Sequence, residues 1–416
     1  MLFDVFIFSI LLFIFEKKIV GRLNYFPFSP LFIFLASYNL VFVLPTLLNA
    51  FPIREAFYMA RLEEGYFGAY TFYNRCFFYV YCILSVVYFD RGKNLPKKRR
   101  IEQKAHRSWV VFLFFMALAS KYVYLGVGLN FNPLVILERI IYPREFTYIK
   151  EGAGIVNYIQ NSLTLLTYFM AVVLYLQKIN KINLLLVVSA ALLFFIGGSK
   201  QQIIWIAFIY LMLRNKQLNT VHFSFMKNVK YLIMVGGLVV FSFSIMIVRS
   251  DNSTLIEKLI NYQRESYYSA LILTDFDWEP EYTINGLVDT IVAPIPRSVW
   301  KEKPYLGYYN RYWRDVYEPK TVRYHSSTYG FIAESHMLFA GFGAITFAFI
   351  FFFLVRYCYI NFLTSTTYLG VFFPIYLTTF LYFFLRAGFT GFTMITVLFT
   401  YTFGLLLIRK TYKLKL

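Results

Sequence analysis

A chain of 416 residues that is 59% hydrophobic, 22% aromatic and only 15% charged, with a mean hydropathy of +0.56, carries more apolar surface than a water-soluble domain can hide. It reads as an all-α, polytopic integral membrane protein. Lys plus Arg number 41 against 22 for Asp plus Glu, a formal charge of +19. Much of that excess sits in short loops between apolar stretches, where it sets orientation in a membrane, so nucleic acid is not expected as a partner.

In chain order the periodicity and length of the apolar runs predict eleven spans, at about 1–15, 28–51, 69–89, 109–129, 154–177, 183–197, 201–213, 231–248, 331–355, 366–385 and 391–408. The first run is followed by its positive charge and has no small-residue cleavage site, so it reads as a retained helix. Runs this long exclude an outer-membrane barrel, whose strands alternate over about ten residues. The loop at 90–107 holds eight Lys/Arg and two acids, and the chain closes on "RKTYKLKL"; both are expected on the inner, cytoplasmic face. Alternation then divides the chain into spans one to eight (1–248), a large outer loop (249–330) and spans nine to eleven (331–416).

Spans 183–197 and 201–213 are short for a full crossing and read as a hairpin whose tip, Gly197-Gly198-Ser199-Lys200, lies below the outer surface, with Lys200 half buried. The large loop begins with Arg249. It continues through 253–278, where Ile256, Leu259, Ile260, Tyr267, Leu271 and Leu273 share a helical face, the mark of a helix lying on the membrane or covering a cavity.

Next comes "PIPRSVWKEKP" (294–304). Its prolines stiffen the backbone around Arg297 and Lys303. A guanidinium on a rigid strand suits a diphosphate, because two parallel N–H donors meet two oxygens and the charge persists at any relevant pH. Trp300, Trp313 and the many tyrosines suit sugar faces or the membrane interface equally well.

Downstream, "NRYWRDVYEPKTVRYHSSTYGFIAESHM" brings Arg311, Arg323, His325, Glu334 and His336. Glu334 and His336 stand inside the apolar run of span nine, and ionisable groups at membrane depth are functional candidates by default. Either can take a proton from a sugar hydroxyl, and Glu334 can equally serve as the partner of Arg249 or Arg386. Arg386 belongs to the outer end of span ten, while Arg75 and Lys121, near outer helix ends, read as snorkelling side chains.

Asp275 and Asp277 in "DFDWEPE" have the spacing of a metal–diphosphate site, but the cations outnumber them and no HExxH, P-loop, GxSxG or GxGxxG occurs. No metal or cofactor is expected. Cys76, Cys82 and Cys358 lie in or at the ends of apolar runs and read as small buried hydrophobes.

Together, "PIPRSVWKEKP", "HSSTYGFIAESHMLFAGFGAI" and the hairpin "FIGGSKQQIIWIAFIYL" resemble the O-antigen polymerase family of bacterial membrane proteins, the likeness running over about 183–408. The resemblance implies a GT-C-like fold and an inverting, metal-independent glycosyltransferase at the outer face of the inner membrane. It would move a growing glycan from undecaprenyl diphosphate to the terminal sugar of an incoming lipid-linked repeat unit, with a chain-length regulator protein as a partner. By match of motif Arg297 and Lys303 fall in the cationic site, Glu334 at the entry to span nine and Lys200 in the hairpin. An O-antigen ligase shares the donor and the loop plan. A flippase or transporter is the reading from a different class, for which repeated halves would be expected.

Overall fold

A computed structural model describes residues 2–24, 29–44, 46, 64–91, 99–126, 130–141, 154–196, 200–218, 264–277, 279, 282–283, 300, 312, 315–316, 330–388, 400 and 402. Twelve α-helices and no strand occur among the described residues. They are α1 (Phe3–Asn24), α2 (Pro30–Tyr38), α3 (Glu64–Arg91), α4 (Arg107–Gly126), α5 (Pro133–Ile141), α6 (Gly154–Gln177), α7 (Lys181–Phe195), α8 (Lys200–Leu218), α9 (Arg264–Asp275), α10 (Gly330–Phe339), α11 (Gly343–Thr364) and α12 (Tyr368–Ala387).

Four described helical segments are long and apolar enough to cross a membrane, Arg107–Gly126, Ile159–Gln177, Gly330–Thr364 and Tyr368–Arg386, and shorter apolar helices lie at Phe3–Phe15, Pro30–Val43 and Lys181–Phe195. The chain is a helical membrane protein. The expected span 231–248 falls outside the described residues, and so does 391–408 apart from 400 and 402.

Local sequence signals place several helix starts. Ser29, Asn180 and Thr367 cap α2, α7 and α12 by accepting from the amides of Phe32, Asn183 and Gly370. Helix α2 then loosens into a π-helical turn over Asn39–Val43. That turn presents backbone carbonyls to neighbours: Ser266 of α9 donates to the Val41 carbonyl (2.6 Å) and Tyr70 of α3 to that of Phe42 (3.2 Å).

The bundle has two chemically distinct ends. At one, which we call the basic end, residues 99–107 run as a strap across the helix termini. The Arg99 amide donates to the Leu363 carbonyl (2.8 Å), the Glu102 amide to Thr366 (3.0 Å), and Gln103 accepts from the Tyr368 amide (2.9 Å). Gln177 joins α6 to the same strap, donating to the Gln103 carbonyl (2.7 Å) and accepting from the Ala105 amide (2.8 Å). Fully buried Lys216 donates to the last-turn carbonyls of Phe362 and Leu363, satisfying groups that a helix C-terminus leaves open and matching its partial negative charge.

The expected ninth span is not one straight crossing. A continuous helix over Gly330–Thr364 would extend roughly 50 Å, and would hold Phe331 and Phe351 about 30 Å apart. Instead their ring centroids are 4.9 Å apart, Phe331 also stacks on Phe347 at 6.0 Å, and the Ser335 carbonyl lies where a side chain on Gly343 would begin. The chain breaks at Ala340, which takes a left-handed φ of +48°, and α10 folds back along α11 as a short re-entrant helix. An aromatic cluster of Phe34, Tyr38, Phe42, Phe77 and Phe351 surrounds Phe331 at its inner tip.

Of the two cations expected to snorkel, Arg75 is partly exposed and pairs with a carboxylate, and Lys121 is buried. Arg75 Nε lies 2.8 Å from Asp4 Oδ2, and the Tyr79 hydroxyl donates to the same oxygen (2.5 Å), joining α3 to α1. Lys121 is 3% exposed, because α6 and α7 cover that side of α4.

Phe77, fully buried beneath the re-entrant helix, is expected to lose about 3 kcal/mol of stability as Phe77→Ala, through lost packing around Phe331. Phe353→Ala, at a site 56% exposed on α11, should stay within about 0.5 kcal/mol of the parent. Thermal unfolding in detergent compares the two, and equal losses would contradict the packing described.

Candidate functional site

Helix α10 opens at Gly330, whose φ of +73° suits a residue without Cβ. The Leu385 carbonyl, the Ser269 hydroxyl and the Phe42 ring crowd the place a side chain would occupy, at 3.3, 3.4 and 3.5 Å. The start of α10 is therefore held between α9, α12 and the π-helical turn.

One turn further on, Glu334 is buried at 1% exposure. Its carboxylate lies against Gly388, so closely that a Cβ there would strike Oε2. Gly388 follows α12 with φ +80° and ψ 178°, a conformation only glycine adopts readily, and Arg386 occupies the last turn just before it. A carboxylate is disfavoured beside the negative end of a helix, and a guanidinium in that final turn offsets the field. The structure thus brings Glu334 of α10 against the α12 terminus that carries Arg386.

His336, two residues further along α10, points to roughly the opposite side of the helix from Glu334. Its ring meets Tyr73 edge-on at 5.8 Å and Phe276 at 6.4 Å, and its buried Nδ1 has no hydrogen-bond partner among the described residues. Tyr73 holds the break in the chain: its hydroxyl donates to the Ala340 carbonyl (3.2 Å) and accepts from Ser335 (3.1 Å). Phe276, Tyr282 and Tyr312, all from the expected large loop, form an edge-to-face aromatic group with spacings of 4.8 and 5.1 Å, packed on Ile272, Ala333 and Met337. The loop is therefore part of the helical core at this point.

Of the expected amphipathic stretch only α9 is described; Ile256, Leu259 and Ile260 lie outside the described residues. Ser266, Ser269, Ala270, Ile272 and Phe276 are the buried positions, while Leu271 and Leu273 are only partly covered. Small side chains let the α9 backbone approach its neighbours closely, and in an apolar setting that packing outweighs the burial of leucines.

The expected site is only partly drawn together. Glu334 and the helix carrying Arg386 meet, while His336 faces away from them towards Tyr73 and Phe276. Lys200 opens α8 in the expected hairpin. Arg249, Arg297, Lys303, Arg311, Arg323 and His325 lie outside the described residues. Asp275 and Asp277 are exposed at the end of α9, and no cluster of three metal-ligating side chains occurs among the described residues.

Tyr73, Ser335, Ser269 and Gly388 were not singled out from sequence. A glycine just past an apolar span, as in "LRAGF", was the signal for Gly388; Tyr73 is one tyrosine among 36 and carries none.

Comparison with protein-family models, curated proteins and solved structures finds no match to this chain.

Gly388→Ala is expected to lower stability by about 2 kcal/mol or more, since it strains the backbone and drives a methyl group into the Glu334 carboxylate. Combining it with Glu334→Ala should recover part of that loss in a double-mutant cycle. Strict additivity would show that the two residues do not touch.

Proposed function

We propose that the chain is an inner-membrane polysaccharide polymerase. It transfers a growing glycan from undecaprenyl diphosphate to the terminal sugar of an incoming undecaprenyl-diphosphate-linked repeat unit, in the synthesis of O-antigen or capsule. The observation that carries the reading is the burial of Glu334 on a re-entrant helix beside the α12 terminus bearing Arg386, with His336 on the other side of that helix against Phe276 of the large loop.

In this reaction the anomeric carbon–oxygen bond to the donor diphosphate breaks, and the electron pair leaves on the diphosphate. The acceptor hydroxyl attacks from the opposite face, forming the new glycosidic bond with inversion. Its proton passes to Glu334, or to a neutral His336 or His325.

Arg297 and Lys303 of the proline-rich strip, with Arg249, Arg311, Arg323, Arg386 and Lys200, supply the positive charge that meets the leaving diphosphate. Fixed donors aimed at developing negative charge are the largest single term in many such reactions, and guanidinium groups suffice for it without a metal. The loop aromatics offer stacking faces to the sugars. The site would face the periplasm or cell exterior, and a chain-length regulator would act on the product.

Two other readings share features with this one. A ligase would use the same donor and pass the glycan to a lipid A core. A flippase for lipid-linked sugars is favoured by the break between α10 and α11, since discontinuous helices line many transport sites.

A strain lacking the gene separates the three. Surface glycan of one repeat per core indicates the polymerase, accumulated lipid-linked polymer the ligase, and repeat units trapped inside the cell the flippase. In the complemented strain Arg297→Ala is expected to slow chain growth about 10²- to 10³-fold. Glu334→Gln should slow it about 10²-fold or more. Long-chain polymer at normal protein level in either variant would overturn the assignment.

A further inference from the structure

We infer that Lys121 and Gln160, with Asn157 and Asn161, form a second binding site, separate from the Glu334 region, that takes a phosphate-type oxyanion at the end of the bundle opposite the basic strap. Lys121 lies five residues from the end of α4, and Asn157 three residues into α6, so both are within roughly 10 Å of that end. An apolar layer flanks the ammonium on each side: Ala117, Leu163 and Leu193 one turn towards the basic end, Leu125, Ile136 and Ile196 one turn beyond it.

The lysine fixes the polarity of the whole cluster. An ammonium only donates, so Gln160 must present its oxygen to Nζ, 3.1 Å away. Its Nε2 must then donate, and it does so to Asn157 Oδ1 and Asn161 Oδ1, each at 2.9 Å. Both asparagines are thereby turned with oxygens inward, and Asn161 Nδ2 adds a further bond to Asn157 Oδ1 at 3.0 Å.

What remains is a surplus of donors. Two ammonium protons, both Nδ2 protons of Asn157 and one of Asn161 have no acceptor among the described residues. Two other described cations are compensated: Lys216 by helix-terminal carbonyls, Arg75 by Asp4. Lys121 and Gln160, at 3% and 1% exposure, meet neither a carboxylate nor a helix end among the described residues, and a buried charge is costly without such partners.

The surplus defines the ligand. A carboxylate has about four lone-pair sites, whereas the three terminal oxygens of a phosphate accept all five protons. Asn157 and Asn161 are only half buried and form the entry. The position between apolar helices suits a phosphate carried on a membrane lipid, and a free phosphate would supply the same chemistry.

The test is thermal unfolding of the full chain in neutral detergent micelles, titrated with a polyprenyl phosphate, with inorganic diphosphate, or with a neutral lipid as control. The parent protein is expected to be stabilised by the polyprenyl phosphate. Lys121→Met should fold and weaken that binding at least tenfold. Asn157→Leu, which keeps the lysine and its Gln160 bond, should weaken it several-fold and serves if Lys121→Met does not fold. Stabilisation by the lipid phosphate alone indicates a membrane-borne ligand, and by inorganic diphosphate as well, a site open to water. No stabilisation of the parent by either, or equal stabilisation of parent and variants, overturns the proposal.

Discussion

Where a protein is surrounded by hydrocarbon, no water completes a hydrogen bond, and each unmatched backbone group costs several kcal/mol, on the order of a full hydrogen bond. This constraint organises the described structure. Every departure from straight helix meets a specific partner: the π-helical turn of Asn39–Val43 meets Ser266 and Tyr70, the end of α11 meets Lys216 and the 99–107 strap, and the break at Ala340 meets Tyr73. Function can be built only where such partners allow the chain to bend.

The break at Ala340 matters most, since it converts an apparent span into a helix that turns back. A straight helix would place Glu334 and His336 on its flank, towards whatever lies beside it. Folded back, α10 sets Glu334 against α12, where Gly388 leaves room for the carboxylate, and turns His336 to its other side, where Tyr73 and Phe276 frame the imidazole. Two glycines at positive φ, Gly330 and Gly388, make this approach sterically possible.

The membrane class, several of the apolar helices and the placing of Glu334 and His336 within one of them were legible in the sequence, because hydropathy and stranded charge are local signals. The fold-back was not. "ESHMLFAGFGAI" reads as uninterrupted apolar helix, and only Gly341 and Gly343 hint at a break that is decided by contacts from Tyr73 and Phe331. Lys121 was misread for a related reason: its place near a helix end suggests snorkelling, and nothing local reveals that α6 presents Gln160 to it.

The account rests on α10 lying against α11, which a cysteine pair measures directly. With Cys76, Cys82 and Cys358 replaced by serine, Phe331→Cys and Phe351→Cys are combined in one chain and treated in native membranes with a short-armed bis-maleimide, and the crosslinked peptides are identified by mass spectrometry. The fold-back predicts a crosslink between the two positions within a single chain, as their parent ring centroids are 4.9 Å apart. No such crosslink, as expected of a continuous helix holding them about 30 Å apart, would contradict it.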